Sequence, residues 1–100
     1  MERTHPTQQD EALRRARLDD HARAVLIDIS NRLTVIRPWG AMTEGIRRSR
    51  PLAVAERLYG RGPYADEVEA TALALMPPVG DITRGEYALI LRRAAGKADA

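Results

Sequence analysis

The chain has no cysteine, which excludes disulfides, thiol catalysis and cysteine-ligated zinc. It has no phenylalanine either, and its aromatic side chains are Trp39, Tyr59, Tyr64 and Tyr87. A core must therefore be built from Leu, Ile, Val and Ala, as in small helical proteins. Lysine occurs only at Lys97, so almost all the positive charge is arginine. That bias, with the many alanines, is in keeping with a GC-rich coding sequence. Long apolar runs are missing. Ala72-Leu73-Ala74-Leu75-Met76 falls far short of the ~20 residues that span a bilayer. The first fifteen residues mix acids and bases without an apolar segment, unlike a secretory signal. The expectation is a soluble, cytoplasmic protein with no membrane association.

What is present suits one domain, residues 1–100, with 1–6 and 97–100 as flexible tails. The small net charge of +2 is unevenly placed. Residues 32–61 hold seven arginines against Glu44 and Glu56, a local balance of +5, between two flanks at −1 and −2.

The most apolar and β-branched stretch is 22–37. Leu18, Ala22, Val25, Ile29, Leu33 and Ile36 recur at helical spacing, and the run from Gln8 is rich in helix formers. Thr7 is a candidate cap for this helix. The alternative is an α+β fold with a β-hairpin at 24–36, because Val25, Ile27, Ile29, Leu33 and Val35 alternate with polar residues and Ser30-Asn31 suits a turn. A two-stranded hairpin alone is marginal, and the rest of the chain offers no partner strand, which favours the helix. Pro38 ends either element.

Trp39, Met42 and Ile46 suggest a short helix, followed by a basic connector at 47–50. Pro51 then suits the first turn of a helix with Leu52, Ala55 and Tyr59 inward and Gly60 as its stop. Pro63 or Tyr64 opens a helix whose stripe is Tyr64, Val68, Ala72 and Leu75. Thr83-Arg84-Gly85-Glu86 is a capping box, flanked by Ile82 and Tyr87 as a hydrophobic staple, and its helix stops at Gly96. The fold class is therefore mostly α: a small single-domain bundle of about five helices with a long first helix.

Few motifs point to chemistry. Gly60-Arg61-Gly62-Pro63-Tyr64-Ala65 matches the letters of a dinucleotide fingerprint, but it follows a helix where that motif needs a strand. Asp19-Asp20-His21 cannot converge on one ion from three consecutive helical positions. Ser30 and Ser49 lack a nucleophile-elbow context. No catalytic residue, cofactor or metal set is expected, and the chain reads as non-enzymatic. Residues 27–36 resemble the phosphoacceptor box of histidine kinase dimerisation helices at Asp28, Asn31, Leu33 and Ile36. Ile27 stands where that family has its histidine, so the resemblance implies a helix and a pairing face, without the phosphotransfer.

Two functional expectations remain. The first is a small regulatory protein that binds nucleic acid through Arg47, Arg48, Arg50, Arg57 and Arg61. The second is a protein–protein interaction module (an adaptor, inhibitor, antitoxin-like or phage-type accessory protein). It would meet a protein partner, or a second copy as a homodimer, through its long helix or through Trp39, Met42, Ile27 and Val35.

Overall fold

A computed structural model describes residues 6–97, and these form four helices in the order α1 (Pro6–Val35), α2 (Glu44–Tyr59), α3 (Pro63–Leu75) and α4 (Arg84–Lys97). The mostly helical expectation holds, with four helices in place of about five. No strand is present among the described residues; one isolated antiparallel bridge joins Ala41 and Thr83.

The hairpin alternative at 24–36 is overturned, since that stretch is continuous helix up to Val35. Its strand-prone hydroxyl residues are reconciled with the helix by bonding back to the preceding turn. Ser30 Oγ donates to the Ile27 carbonyl at 2.8 Å, and Thr34 Oγ1 to the Ser30 carbonyl at 2.8 Å. Asp28 and Arg32 add an i,i+4 ion pair at 3.0 Å. The helix ends because Pro38 bars Arg37 from the α region, and Arg37 turns left-handed at φ 52°.

At the other end, α1 already includes Pro6 and Thr7, so the cap expected at Thr7 lies inside the helix. Of the expected tails, Pro6 and Lys97 are helical, while 1–5 and 98–100 fall outside the described residues. Residues 8–17 are exposed on every side, tied to α3 by an Arg14–Glu67 pair of 3.4 Å.

The largest difference from expectation is at 39–59. The short helix at 39–46, the connector at 47–50 and the proline-started helix are not separate. Thr43 caps α2, its hydroxyl accepting from the Ile46 amide at 3.1 Å, and the helix runs through Pro51 to Tyr59. An interior proline removes one helical hydrogen bond and crowds the preceding turn, a cost of about 3 kcal/mol in an exposed helix. Here Pro51 is fully buried in the contact with the rest of the bundle, which offsets that cost. Gly60, at φ 87°, stops α2, and Pro63 starts α3 as expected.

Residues 38–43 instead form a strap across the start of α4. The Arg84 amide donates to the Gly40 carbonyl and the Gly85 amide to the Pro38 carbonyl, each at 2.8 Å, and the Met42 amide donates to Ile82 at 3.0 Å. The capping box is present. Thr83 Oγ1 accepts from the Glu86 amide at 3.1 Å, and a Glu86 carboxylate oxygen accepts from the Thr83 amide at 2.8 Å. The strap and the box together satisfy the first amides of α4.

α1 packs against all three other helices and is the spine of the bundle. Ala22, Val25, Leu26, Ile29 and Leu33 meet Val54 and Ala55 of α2, Ala65, Val68 and Ala72 of α3, and Tyr87, Ala88, Leu91 and Ala95 of α4 in one core. Ile36 and Leu75, placed on inward seams by the sequence pattern, are exposed. One helical face predicts opposite fates for neighbouring β-branched residues. Ile29→Ala is expected to cost about 2–4 kcal/mol of unfolding free energy, as for other buried aliphatic truncations. Val35→Ala, at a side chain 77% exposed, is expected to change stability by less than about 0.5 kcal/mol. Urea denaturation followed by circular dichroism measures both, and equal losses would contradict the helical register.

Candidate functional site: an arginine groove along α1 and α2

The five central arginines do not share one face. Arg47 turns inward, with a side chain 16% exposed, and clasps the end of α3. Its guanidinium donates to the carbonyls of Met76 (2.9 Å), Pro77 (3.2 Å) and Leu73 (3.4 Å), and pairs with Glu44 at 2.9 Å. α3 has no basic residue in its own last turn, and Met76 caps it in extended conformation. Of the three carbonyls, that of Leu73 also accepts from the Met76 amide at 3.1 Å and that of Pro77 from the Tyr87 hydroxyl, so the Met76 carbonyl depends on Arg47 alone among the described residues. Arg47 is thus a structural clamp, with four of its five N–H donors committed to α3 and Glu44. Arg48 is exposed and pairs with Glu44 at 2.9 Å, and Arg61 lies 3.9 Å from Glu56.

Arg50 and Arg57 fall elsewhere, on the side of α2 that faces α1. There they meet Arg32, and the start of α4 adds Arg84. Three adjoining depressions share Arg32 in their walls. The first, about 180 Å³, is lined by Arg32, Leu33, Ile36, Ile46, Arg50 and Arg84. The second, also about 180 Å³, lies over Ala53 and Val54 between Arg32, Arg50 and Arg57. The third, about 330 Å³, opens toward Asn31 and Val35. The result is a groove with aliphatic walls and four guanidinium groups. Asp28 is the one carboxylate among the lining residues.

Asp28 accepts from Arg57 at 2.5 Å and from Arg32 at 3.0 Å. Partial burial pushes its pKa up, but the hydrogen bonds and charges of Arg57 and Arg32 outweigh this and hold it below the ordinary 3.8. Arg50 and Arg84 have no such partner among the described residues. Arg84 is the more unusual, because its Nε is buried without an acceptor. It also sits in the first turn of α4, where the helix dipole disfavours a cation.

Of the expected partner-facing residues, Met42 is buried at 4% exposure and belongs to the core. Trp39 is 73% exposed on the strap, and Ile27 and Val35 are exposed on α1. His21 holds no metal cluster with Asp19 and Asp20. Its Nδ1 lies 2.7 Å from the Tyr64 hydroxyl, and its ring stacks on Tyr59 at 4.0 Å, locking α1 to the α2–α3 turn. No group of three or more His, Asp or Glu side chains suited to a metal is found among the described residues. Among the described residues no helix is long and apolar enough to cross a membrane.

Arg32 and Arg84 are the groove residues that sequence reading missed. They lie far apart in the chain, and only the packing of α1, α2 and α4 brings them to Arg50. One local signal existed, the cation at the start of α4, which is an anomaly by dipole rules.

Two substitutions separate clamp from surface. Arg47→Ala is expected to cost about 2–3 kcal/mol, by leaving the Met76 carbonyl without a donor and removing the guanidinium's bonds to Leu73 and Pro77. Arg48→Ala is expected to stay within about 0.5 kcal/mol, as exposed ion pairs do. Chemical denaturation of both variants tests this, and equal losses would remove the clamp. For Asp28 the pH dependence has a definite sign. Its lowered folded pKa contributes stability above the unfolded value, and that contribution is lost as the pH falls through the folded value. Asp28→Asn is therefore expected to flatten the acid limb of a stability-versus-pH curve, and an unchanged limb would show that the pair contributes nothing.

No protein-family model, curated protein or solved structure matches the chain, so what the groove does must be argued from its own chemistry.

Proposed function

We propose that the chain is a small, non-enzymatic regulatory protein that binds nucleic acid through the groove formed by Arg32, Arg50, Arg57 and Arg84. The observation that carries this reading is the pair of arginines without a partner among the described residues, Arg50 and Arg84, in a concave wall where four guanidinium groups face one carboxylate. Planar guanidinium groups take phosphate oxygens two at a time, and they do so without reading sequence. The grouping retains Arg50 and Arg57 from the central basic block and adds two arginines that the fold supplies. Arg48 and Arg61 lie outside it, and Arg47 is committed to α3.

A second reading has its own support. Val35, Ile36 and Trp39 are exposed apolar side chains within five residues of one another, at 77%, 58% and 73% exposure, with Ile27 two turns back along α1. Such a grouping suits a protein partner or a second copy of the chain. Light scattering after size exclusion separates the homodimer case from the monomer.

Binding is tested by fluorescence anisotropy of labelled oligonucleotides across a salt series. Affinity should fall steeply with salt, because each neutralised phosphate releases counterion. Arg50→Ala should weaken binding to all sequences alike and reduce the salt slope by about 1. Asp28→Asn should tighten binding even though it removes ion pairs that stabilise the fold. No affinity at low salt, or an affinity unchanged by both Arg50→Ala and Asp28→Asn, would sink the proposal.

A further inference from the structure

We infer that the nucleic acid taken by this groove is single-stranded, with Trp39 as the platform on which a base stacks; the inference rests on the phosphate-binding reading of the groove. Trp39 is the only Trp in the chain, yet the core does not use it, and 73% of it faces solvent. Its backbone is nonetheless held on both sides. Pro38 and Gly40 each accept an amide bond from α4 at 2.8 Å, and the Gly40 amide returns to Arg37 at 2.9 Å. A large aromatic is thus presented from a fixed strap.

The strap also places Trp39 next to the phosphate side of the site. A Cβ at Gly40, the residue after Trp39, would lie 3.5 Å from the Arg84 guanidinium carbon. Three residues before Trp39, Ile36 lines the depression that holds Arg32, Arg50 and Arg84. Aromatic, aliphatic and guanidinium surfaces therefore follow one another within a few residues. A duplex hides its base faces and offers a rigid phosphate ladder, so an exposed indole and exposed Ile36 and Val35 would gain little from it. An unpaired strand offers both phosphates and base faces, and base stacking on an aromatic side chain is tolerant of sequence.

The 100-residue chain is titrated at low salt with oligo-dT, oligo-U and a duplex of equal length. Trp39 emission and the anisotropy of the labelled oligonucleotide are read together. Both single strands are expected to quench Trp39 and to bind more tightly than the duplex. Trp39→Ala is expected to weaken single-strand binding by about tenfold or more, the range for loss of one stacked base. Trp39→Phe should recover part of it. Arg50→Ala should weaken binding while leaving the quenching at saturation in place, and circular dichroism checks that each variant is folded. Equal affinity for duplex and single strand with no effect of Trp39→Ala overturns the inference but leaves the groove reading standing. No binding of any nucleic acid overturns both. Binding of poly-glutamate alone, with Trp39 quenched, also overturns both and assigns the face to an acidic protein partner.

Discussion

The fold depends on how the open end of α3 is satisfied. α3 stops before Pro77-Pro78 without a glycine cap or a cation of its own. The Met76 carbonyl at that end takes its donor from Arg47 of α2, which also reaches the carbonyls of Leu73 and Pro77. The same carbonyl of Pro77 also accepts from the buried Tyr87 hydroxyl at 2.6 Å, so α4 is fixed to that end as well. Burial pushes the Tyr87 phenol up and keeps it a donor. One irregular junction therefore sets α2, α3 and α4 against the α1 spine. This accounts for a largely buried arginine in the most basic part of the chain.

That commitment changes what the basic block can do. Read linearly, 47–61 is one run of positive charge. Folded, it divides between an internal clamp, two exposed pairs with Glu44 and Glu56, and a groove wall facing α1. Arg32 and Arg84 complete that wall. Charge that is distant along the chain becomes concentrated, and charge that is adjacent along the chain is dispersed.

The parts of the fold legible in the sequence are those set by local chemistry. The seam at 22, 25, 29 and 33, the capping box at 83–86, the stop at Gly60 and the start at Pro63 all follow from spacing or from caps. The stretch around Pro51 was not legible. A proline after a charged run is a normal helix start, and only tertiary burial makes an interior position tolerable. The local signal for the true start is Thr43, whose hydroxyl caps α2. The candidate site was half legible. Arg50, Arg57 and the exposed Trp39 stand out in the sequence, whereas Arg32 and Arg84 join them only through packing between helices.

The exposed first turns of α1 have a consequence of their own. Residues 8–17 have little but an exposed ion pair to hold them to the bundle, and yet they are helical. They need no nucleus, because the buried half of α1 supplies one and the helix only has to propagate outward. Such a segment unzips turn by turn along its exposed length, at a free-energy scale below that of the cooperative core. Backbone helicity should thus begin to decline before the bundle opens, giving two thermal regimes within one continuous helix.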